Sequence, residues 1–210
     1  VNGKSGFSES QLPFGFPREI DYYDPMRKLS HPEISSRRLQ VHEVHCALRV
    51  PLVVVVDNVR SLYNVGSIFR TADGAMIERL VLTGYTPHPP RKEIDKTALG
   101  ATKTVPHEYV RHAREAVLQW KDRGYRAFAL ELTDAGRPIT AVEAESFPIV
   151  LVVGNEIVGV SAEALGECEG GIEIPMYGTK QSLNVSVAFG IAAFTLGEAW
   201  RGGQSKARVK

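Results

Sequence analysis

The sequence is poor in the residues that staple, anchor or strongly charge a chain. Only two cysteines occur in 210 residues. Cys46 and Cys168 lie far apart, without CxxC or Cys/His spacing, and support neither a disulfide framework nor a structural zinc site; both read as buried thiols. No apolar run approaches the roughly 20 residues needed to span a bilayer. The longest, Leu52–Val56 and Ile149–Val153, are far shorter. No basic-then-apolar leader opens the sequence, so a cytoplasmic protein without membrane contact is expected. Neither charge sign is in excess, with 25 Lys+Arg against 24 Asp+Glu, and net charge alone announces no nucleic-acid partner. The phosphate-binding patterns GxGxxG and GxxxxGK[ST] are both missing, as is any metal-ligand constellation.

What is present suits a globular fold. Hydrophobic residues make up 43% and charged residues 23%, enough for a sizeable core. The length fits one domain with an extension. Charge is unevenly spread: from Glu131 to Glu169 only Arg137 is basic, while Arg201, Lys206, Arg208 and Lys210 crowd the last ten residues without an acid. Such a tail is either a solvated end or an arm for an anionic partner.

Three sections follow: an N-terminal arm and helical extension (1–50), a core (51–201) and a basic tail (202–210). The first 25 residues lack periodicity, but Phe7, Phe14, Phe16, Tyr22 and Tyr23 imply that the arm packs on something. A helix is expected from His31 to Leu48, ended before Pro51. Short apolar runs then alternate with helix-period segments, the pattern of a parallel sheet with helices on both faces. Strands are expected at Leu52–Val56, Leu80–Thr83, His107–Val110, Tyr125–Leu132, Ile149–Val153 and Ile172–Ile174. Between them, Val65, Ile68, Phe69, Ala72 and Met76 recur at helical spacing, a short helix lies around Lys96–Ala101, and Ala113, Ala116, Val117 and Trp120 mark a helix stopped by Gly124. Asn184–Trp200 forms a long last helix, apolar nearly all round, which must be covered either by its own sheet or by an oligomer partner.

Three polar, glycine-containing loops each follow a strand, where open parallel sheets bind ligands. In the first, Asn64 reads as a helix N-cap, Gly66 as a point of close backbone approach, and Arg70 as a guanidinium near the helix start. In the second, Gly154 leaves room at the strand end, Glu156 places a carboxylate in the crevice, Gly159 suits a turn, and Ser161 can cap a helix. The third runs from Ile174 through Met176, Gly178 and Lys180 to Ser182, Leu183 and Asn184, with Ser182 or Asn184 capping the last helix and main-chain N–H groups turned to a ligand. Singly, each is equally an ordinary capped helix.

Together the loops read NxGxIxR (Asn64–Arg70), GNExxGV (Gly154–Val160) and IPMxGxxxSLNVSVA (Ile174–Ala188). In this order they closely resemble the three motifs of the SpoU (TrmH-like) family of S-adenosyl-L-methionine-dependent RNA 2′-O-ribose methyltransferases, over about residues 51–201. The resemblance implies an α/β knot, a parallel sheet with a deep trefoil at its C-terminal side, working as a homodimer that would cover the last helix. It implies that Gly154, Ile174 and Leu183 bind the methyl donor through their main chain, with Thr83 and Met176 as further donor-pocket candidates. It assigns Asn64, Arg70, Glu156, Ser182 and Asn184 to the polar active-site set, without a metal.

Transfer to a ribose hydroxyl needs donor and acceptor held in line and a weakly acidic proton removed. Arg70 matches the residue often assigned as the base, yet a guanidinium has an ordinary pKa above about 12. Either a desolvated Arg70 takes the proton, or a charged Arg70 clamps the neighbouring phosphate and stabilises the developing alkoxide; the clamp is the preferred reading. Asn64 would orient Arg70 or the ribose. RNA would be held through phosphates, with Arg60, Arg91, Lys92, Lys96, Lys103 and Lys180 as candidates in the core and Arg27, Lys28, Arg37, Arg38 and the tail outside it. A non-catalytic RNA-binding module that retains the donor pocket is the alternative, and a flavodoxin-like cofactor binder leaves the three motifs unexplained. The RNA is a transfer or a ribosomal RNA, the short extension favouring transfer RNA; base and position are not written in the motifs.

Overall fold

The computed structural model describes residues 26–207, with side chains to Ser205. The aromatic residues of the arm, Arg208 and Lys210 therefore lie outside the described residues, and Lys206 is described in its main chain only. The chain divides into two compact units, Val1–Leu39 and Gln40–Lys210.

In the first unit, α1 (His31–Ser36) starts at a capping box formed by Ser30 and Glu33, the Glu33 carboxylate accepting from the Ser30 N–H at 2.8 Å. Hydrogen bonds from Arg27 and Ser30 hold that carboxyl well below the usual range. The single helix expected over His31–Leu48 is two helices, because a second start signal interrupts it: Gln40 and Glu43 form another capping box, opening α2 (Val41–Val44) in the second unit. Both cysteines were expected to be buried; Cys46 is exposed and Cys168 is half-buried, and burial pushes the Cys168 thiol up to about 12.

The second unit is built on a seven-stranded sheet: β1 (Val50–Asp57), β2 (Ile77–Thr83), β3 (His107–Val110), β4 (Arg126–Leu130), β5 (Arg137–Pro138), β6 (Ile149–Val153) and β7 (Gly171–Glu173). Their order is β3-β2-β1-β6-β4-β7-β5, and every pairing is parallel. The central strands β1 and β6 are the continuous apolar runs of the sequence. Leu52 pairs with Ile149 and Val56 with Val153, and both strands are sealed on both faces, each buried valine contributing roughly 1.5–3 kcal/mol. The two-residue β5 carries no periodic signal and was not expected.

Helices cover both faces. On one, α3 (Leu62–Ala75), α4 (Lys92–Ala98) and the long α7 (Val185–Ala207) pack on Leu52, Val54 and Val56 through Ile68, Phe69, Ile94, Phe189 and Leu196. On the other, α5 (Ala113–Lys121) and α6 (Ala162–Leu165) pack on Val53 and Val55 through Ala116, Val117, Trp120 and Ala164. Arg49 ties the strand N-terminal edge together by donating to the carbonyls of Ile77 (3.1 Å) and Thr104 (2.8 Å). The last helix extends into the expected tail, and it is not fully covered: Val185, Phe189, Ala192, Ala193 and Leu196 are buried, but Val187 (51%), Ile191 (38%) and Phe194 (48%) stay exposed.

Gly66 sets the approach of α3 to α4. A Cβ there would run into the Thr97 hydroxyl and the Ile94 carbonyl, whereas one at Gly74 would lie 3.6 Å from Phe194 in ordinary contact. Gly66→Ala is expected to destabilise the protein by about 1–3 kcal/mol through overpacking, and Gly74→Ala to stabilise it by about 0.4–1 kcal/mol. Urea denaturation of both variants checks the opposite signs.

Candidate active site

The crevice lies between β1 and β6. These neighbours send their following helices to opposite faces of the sheet, α3 to one and α6 to the other, leaving an opening at their C-terminal ends. The start of α3 presents unpaired N–H groups to this opening. Glu156, from the loop after β6, answers them: its carboxylate accepts from the main-chain N–H of Arg60 (3.1 Å) and Ser61 (3.3 Å) and from Asn64 Nδ2 (2.9 Å). Asn64 Oδ1 in turn accepts from Asn184 Nδ2 at 3.2 Å. Asn184 sits just before α7, its own Oδ1 accepting from the Ser186 N–H (3.0 Å) and hydroxyl (2.7 Å). One hydrogen-bonded line thus joins the three motif loops. Partial burial would raise the Glu156 pKa, but the Arg60 N–H, the Asn64 amide and further main-chain donors outweigh it and hold the carboxyl below its ordinary range.

Beside this line opens a cleft of about 640 Å³ at the ends of β4, β6 and β7, within the size range of small-ligand sites. Gly154, Ile174, Met176 and Leu183 line it, as do Glu156, Ser182 and Asn184. Its lining includes the carboxylates of Glu131, Glu156 and Glu173 and no Lys, Arg or His among the described residues.

The sequence reading is adjusted at several points. The N-cap of α3 is Ser61, whose hydroxyl accepts from the Asn64 N–H at 3.3 Å; Asn64 stands in the first turn, which frees its side chain to bridge the other two loops. Gly154 lacks a side chain because the main chain of Gly159 and Val160 folds against it, not to admit a ligand. At Gly66 the expected close backbone approach is the one found, to α4. Ser161 holds the N-cap position of α6 without a side-chain cap bond, its N–H donating instead to Asp57 Oδ2 at 2.8 Å. Thr83 is not brought to the cleft: it is fully buried and its hydroxyl is committed to the Val56 carbonyl at 3.1 Å. Arg70 also lies outside the cleft lining. It is exposed on α3 beside Thr71 and Gly74, the residues that approach Gly190 and Phe194 of α7, and it makes no ion pair among the described residues.

A supporting layer was missed. Asp57 and Asn155 are buried polar residues directly at the ends of β1 and β6. Asn155 Oδ1 accepts from the N–H groups of Ile157 (2.8 Å) and Val158 (3.1 Å), shaping the loop that carries Glu156. Its Nδ2 donates to the Asn58 carbonyl (2.7 Å) and the Tyr85 hydroxyl (2.9 Å). Glu131 braces the exit of the same loop, Oε2 accepting from the Val160 N–H at 3.2 Å. The available signal was a polar residue ending an otherwise all-apolar strand run.

Comparisons with known proteins return matches over most of the chain. The sequence profile of the SpoU rRNA Methylase family matches residues 51–194. The tRNA (guanosine(18)-2′-O)-methyltransferase of Aquifex aeolicus is 35% identical over 162 residues, 77% of this chain and 75% of that protein. Among solved structures, the A. aeolicus TrmH/SpoU tRNA modifying enzyme superposes with a TM-score of 0.69 at 33% identity, covering 79% of this chain and 82% of that one. An AdoMet-bound rRNA methyltransferase from Sinorhizobium meliloti gives 0.65 at 29% identity, covering 70% of this chain and 56% of the other.

Because folding lowers the Glu156 pKa, the ionised carboxylate contributes stability above the ordinary carboxylate range, and this is lost as pH falls through the lowered value. Glu156→Gln is therefore expected to denature at lower urea than the parent at pH 7, with the gap closing as pH falls below the ordinary carboxylate range. A gap independent of pH would show that the charge contributes nothing.

Proposed function

The chain belongs to the SpoU rRNA methylase family, and from that premise we propose that it transfers the methyl group of S-adenosyl-L-methionine to a ribose 2′-hydroxyl of RNA. The observation that carries this is the Asn184–Asn64–Glu156 line at the rim of the cleft. When bound, the donor would supply a methyl group on a cationic sulfonium, transferred in line to the ribose oxygen as the carbon–sulfur bond breaks and the neutral thioether S-adenosyl-L-homocysteine leaves. The lining fits such a ligand: apolar Ile174, Met176 and Leu183 suit a flat heterocycle, and three carboxylates without a cation suit positive charge. Gly154, Ile174 and Leu183 would hold the donor by main-chain groups, with Met176 packing against it.

Asn64 and Asn184 position the acceptor ribose at the cleft rim. Glu156 fixes Asn64 with its amide oriented, and Ser182 offers a hydroxyl from the same wall. Arg70, exposed and without an ion pair among the described residues, is available to a phosphate. Its fork grips the phosphate next to the target ribose, and its charge stabilises the developing alkoxide as the hydroxyl proton passes to solvent water.

Transfer RNA is the favoured substrate, supported by the match to the A. aeolicus tRNA enzyme over 77% of this chain and 75% of that protein. A homodimer is favoured by the exposed Val187, Ile191 and Phe194 of α7, an apolar strip beside Arg70 that a second copy would cover. The trefoil knot and a cytoplasmic location belong to the same reading. No helix among the described residues is long and apolar enough to cross a membrane.

With tritiated donor and unmodified tRNA transcripts, label is expected in a 2′-O-methylnucleoside, and Arg70→Ala is expected to lower kcat by about 10²-fold or more without changing donor affinity. Arg70→Lys should be nearly as impaired; a lysine variant that keeps most of the rate with a lysine-governed pH profile makes Arg70 the base instead. Donor binding without transfer to any RNA would establish the non-catalytic alternative. For the dimer, Phe194→Glu is expected to shift sedimentation from dimer to monomer, and a parent protein already monomeric at micromolar concentration refutes it.

A further inference from the structure

A second cleft, of about 560 Å³, opens at the C-terminal ends of β1, β2 and β3, on the other side of Asn155 from the donor cleft. Its lining includes Tyr85, Tyr109, Arg111 and His112, together with Glu115 and Glu163 of the α5 and α6 helices. The two tyrosines are 59% and 47% exposed, yet their hydroxyls are fixed inward. Tyr109 donates to the Gly84 carbonyl at 2.8 Å, and the Tyr85 hydroxyl accepts from Asn155 at 2.9 Å. His88 lies against Tyr109 with ring centroids 5.0 Å apart. An exposed ring tethered by its polar tip is a stiff, flat surface turned to solvent, and immobilising it further on binding loses little entropy.

Cations frame this surface. Arg111 follows Tyr109 by two residues, and Arg91 and Lys92 close the loop that carries His88. All three are exposed and make no ion pair among the described residues; Arg114, by contrast, is held by Glu167 at 2.8 Å. Flat aromatic faces alternating with uncommitted cations match the demands of single-stranded nucleic acid, whose bases stack and whose phosphates need positive charge. Resting on the reading of the protein as an RNA methyltransferase, we propose that the Tyr85–His88–Tyr109 face, with Arg111, is a subsite for an unpaired nucleotide of the substrate RNA flanking the target ribose. It is distinct from the catalytic line but joined to it. Tyr85 holds Asn155, and Asn155 holds the loop bearing Glu156, so a base seated on Tyr85 stiffens the motif loop. The acids Glu115 and Glu163 repel phosphate from the α5–α6 side and keep the strand on the aromatic face.

The test is fluorescence-anisotropy titration of a labelled twelve-residue oligoadenylate on the full chain, alongside calorimetry with S-adenosyl-L-methionine. Tyr109→Leu and Arg111→Ala are each expected to weaken RNA binding by about fivefold or more, Tyr109→Phe to stay close to the parent, and donor affinity to be unchanged in all three. The salt dependence should flatten by about one phosphate contact in Arg111→Ala only. RNA affinity within twofold of the parent in both Tyr109→Leu and Arg111→Ala overturns the subsite, as does a change of sedimentation in these variants, which would mean that the face meets a second copy. Arg111 is a surface side chain, so its variant reports even where Tyr109→Leu fails to fold. A parent that binds neither oligoadenylate nor donor overturns the methyltransferase reading itself, whereas a parent that methylates RNA with variants binding like it removes only the subsite.

Discussion

Glu156 satisfies the start of α3 across the crevice between β1 and β6, and the site is arranged around that contact. A parallel sheet whose two central strands send their helices to opposite faces leaves a gap at the strand ends, and the first N–H groups of α3 face it without intrahelical partners. A carboxylate from the loop after β6 takes the Arg60 and Ser61 N–H groups and the Asn64 amide together. Hydrogen bonds to a charged acceptor contribute about 1.5–3 kcal/mol when well buried, and less at this partly solvated rim. Geometry is the larger effect: with one face of the Asn64 amide fixed by Glu156, its oxygen is aimed at Asn184, so the start of α7 is positioned by the end of β6. Capping and chemistry share the same atoms.

The layer beneath makes that arrangement stiff. Asp57 and Asn155 are buried at the ends of the two central strands, where unpaired polar groups would be costly, and each is bonded to the other strand's loop. Asp57 accepts from Ser161 after β6, and Asn155 donates to Asn58 after β1. The loops are cross-tied in both directions. A hydrophobic residue at either position would bury well and release a loop, so polar residues there are explained by what they hold. Gly154 completes the tie, since only a residue without a side chain lets the Gly159–Val160 main chain fold back onto the strand end.

This explains why some of the molecule is legible in the sequence and some is not. Strands buried on both faces must be continuously apolar, so β1 and β6 are visible as runs, and the amphipathic α3 and α5 show their spacing. Each loop is visible too, because strand ends in such a sheet are where polar residues gather. The pairing of Asn64 with Glu156 spans 92 positions and leaves no local trace; only the joint resemblance of the three motifs pointed to it. Local readings failed where two causes produce the same residue. A glycine required by neighbouring main chain resembles one that admits a ligand, as at Gly154, and Ser61 and Asn64 are both good caps, of which the helix uses the first; at Gly66 the expected close backbone approach is the one found, to α4. The two short helices at His31 and Val41 were merged because each capping box is weaker than the apolar pattern laid over it. Tyr85 and Tyr109 were passed over because an aromatic in a strand–loop segment ordinarily reads as core.

Charge is sorted across the site. The donor cleft is lined by carboxylates and no cation, while Arg70 on α3 and Arg91, Lys92 and Arg111 around the second cleft are exposed without acid partners among the described residues. This follows the unequal distribution of the sequence, whose acid-rich stretch from Glu131 to Glu169 supplies two of the three cleft carboxylates. The pattern suits a reaction between unlike charges: a cationic sulfonium is drawn into the acidic pocket, and a polyanion is repelled from it and held by cations outside. Between the two regions of charge lies the Glu156–Asn64–Asn184 line, where two neutral amides are held in place. Every polar side chain of that line is tied by hydrogen bonds, and Arg70 is not. Hydrogen bonds fix that line before any ligand arrives, whereas the exposed Arg70 side chain has no such tie among the described residues: the first is a preorganised support, the second a side chain that a ligand can still orient, and this difference is what makes a clamp the reading of Arg70 proposed above.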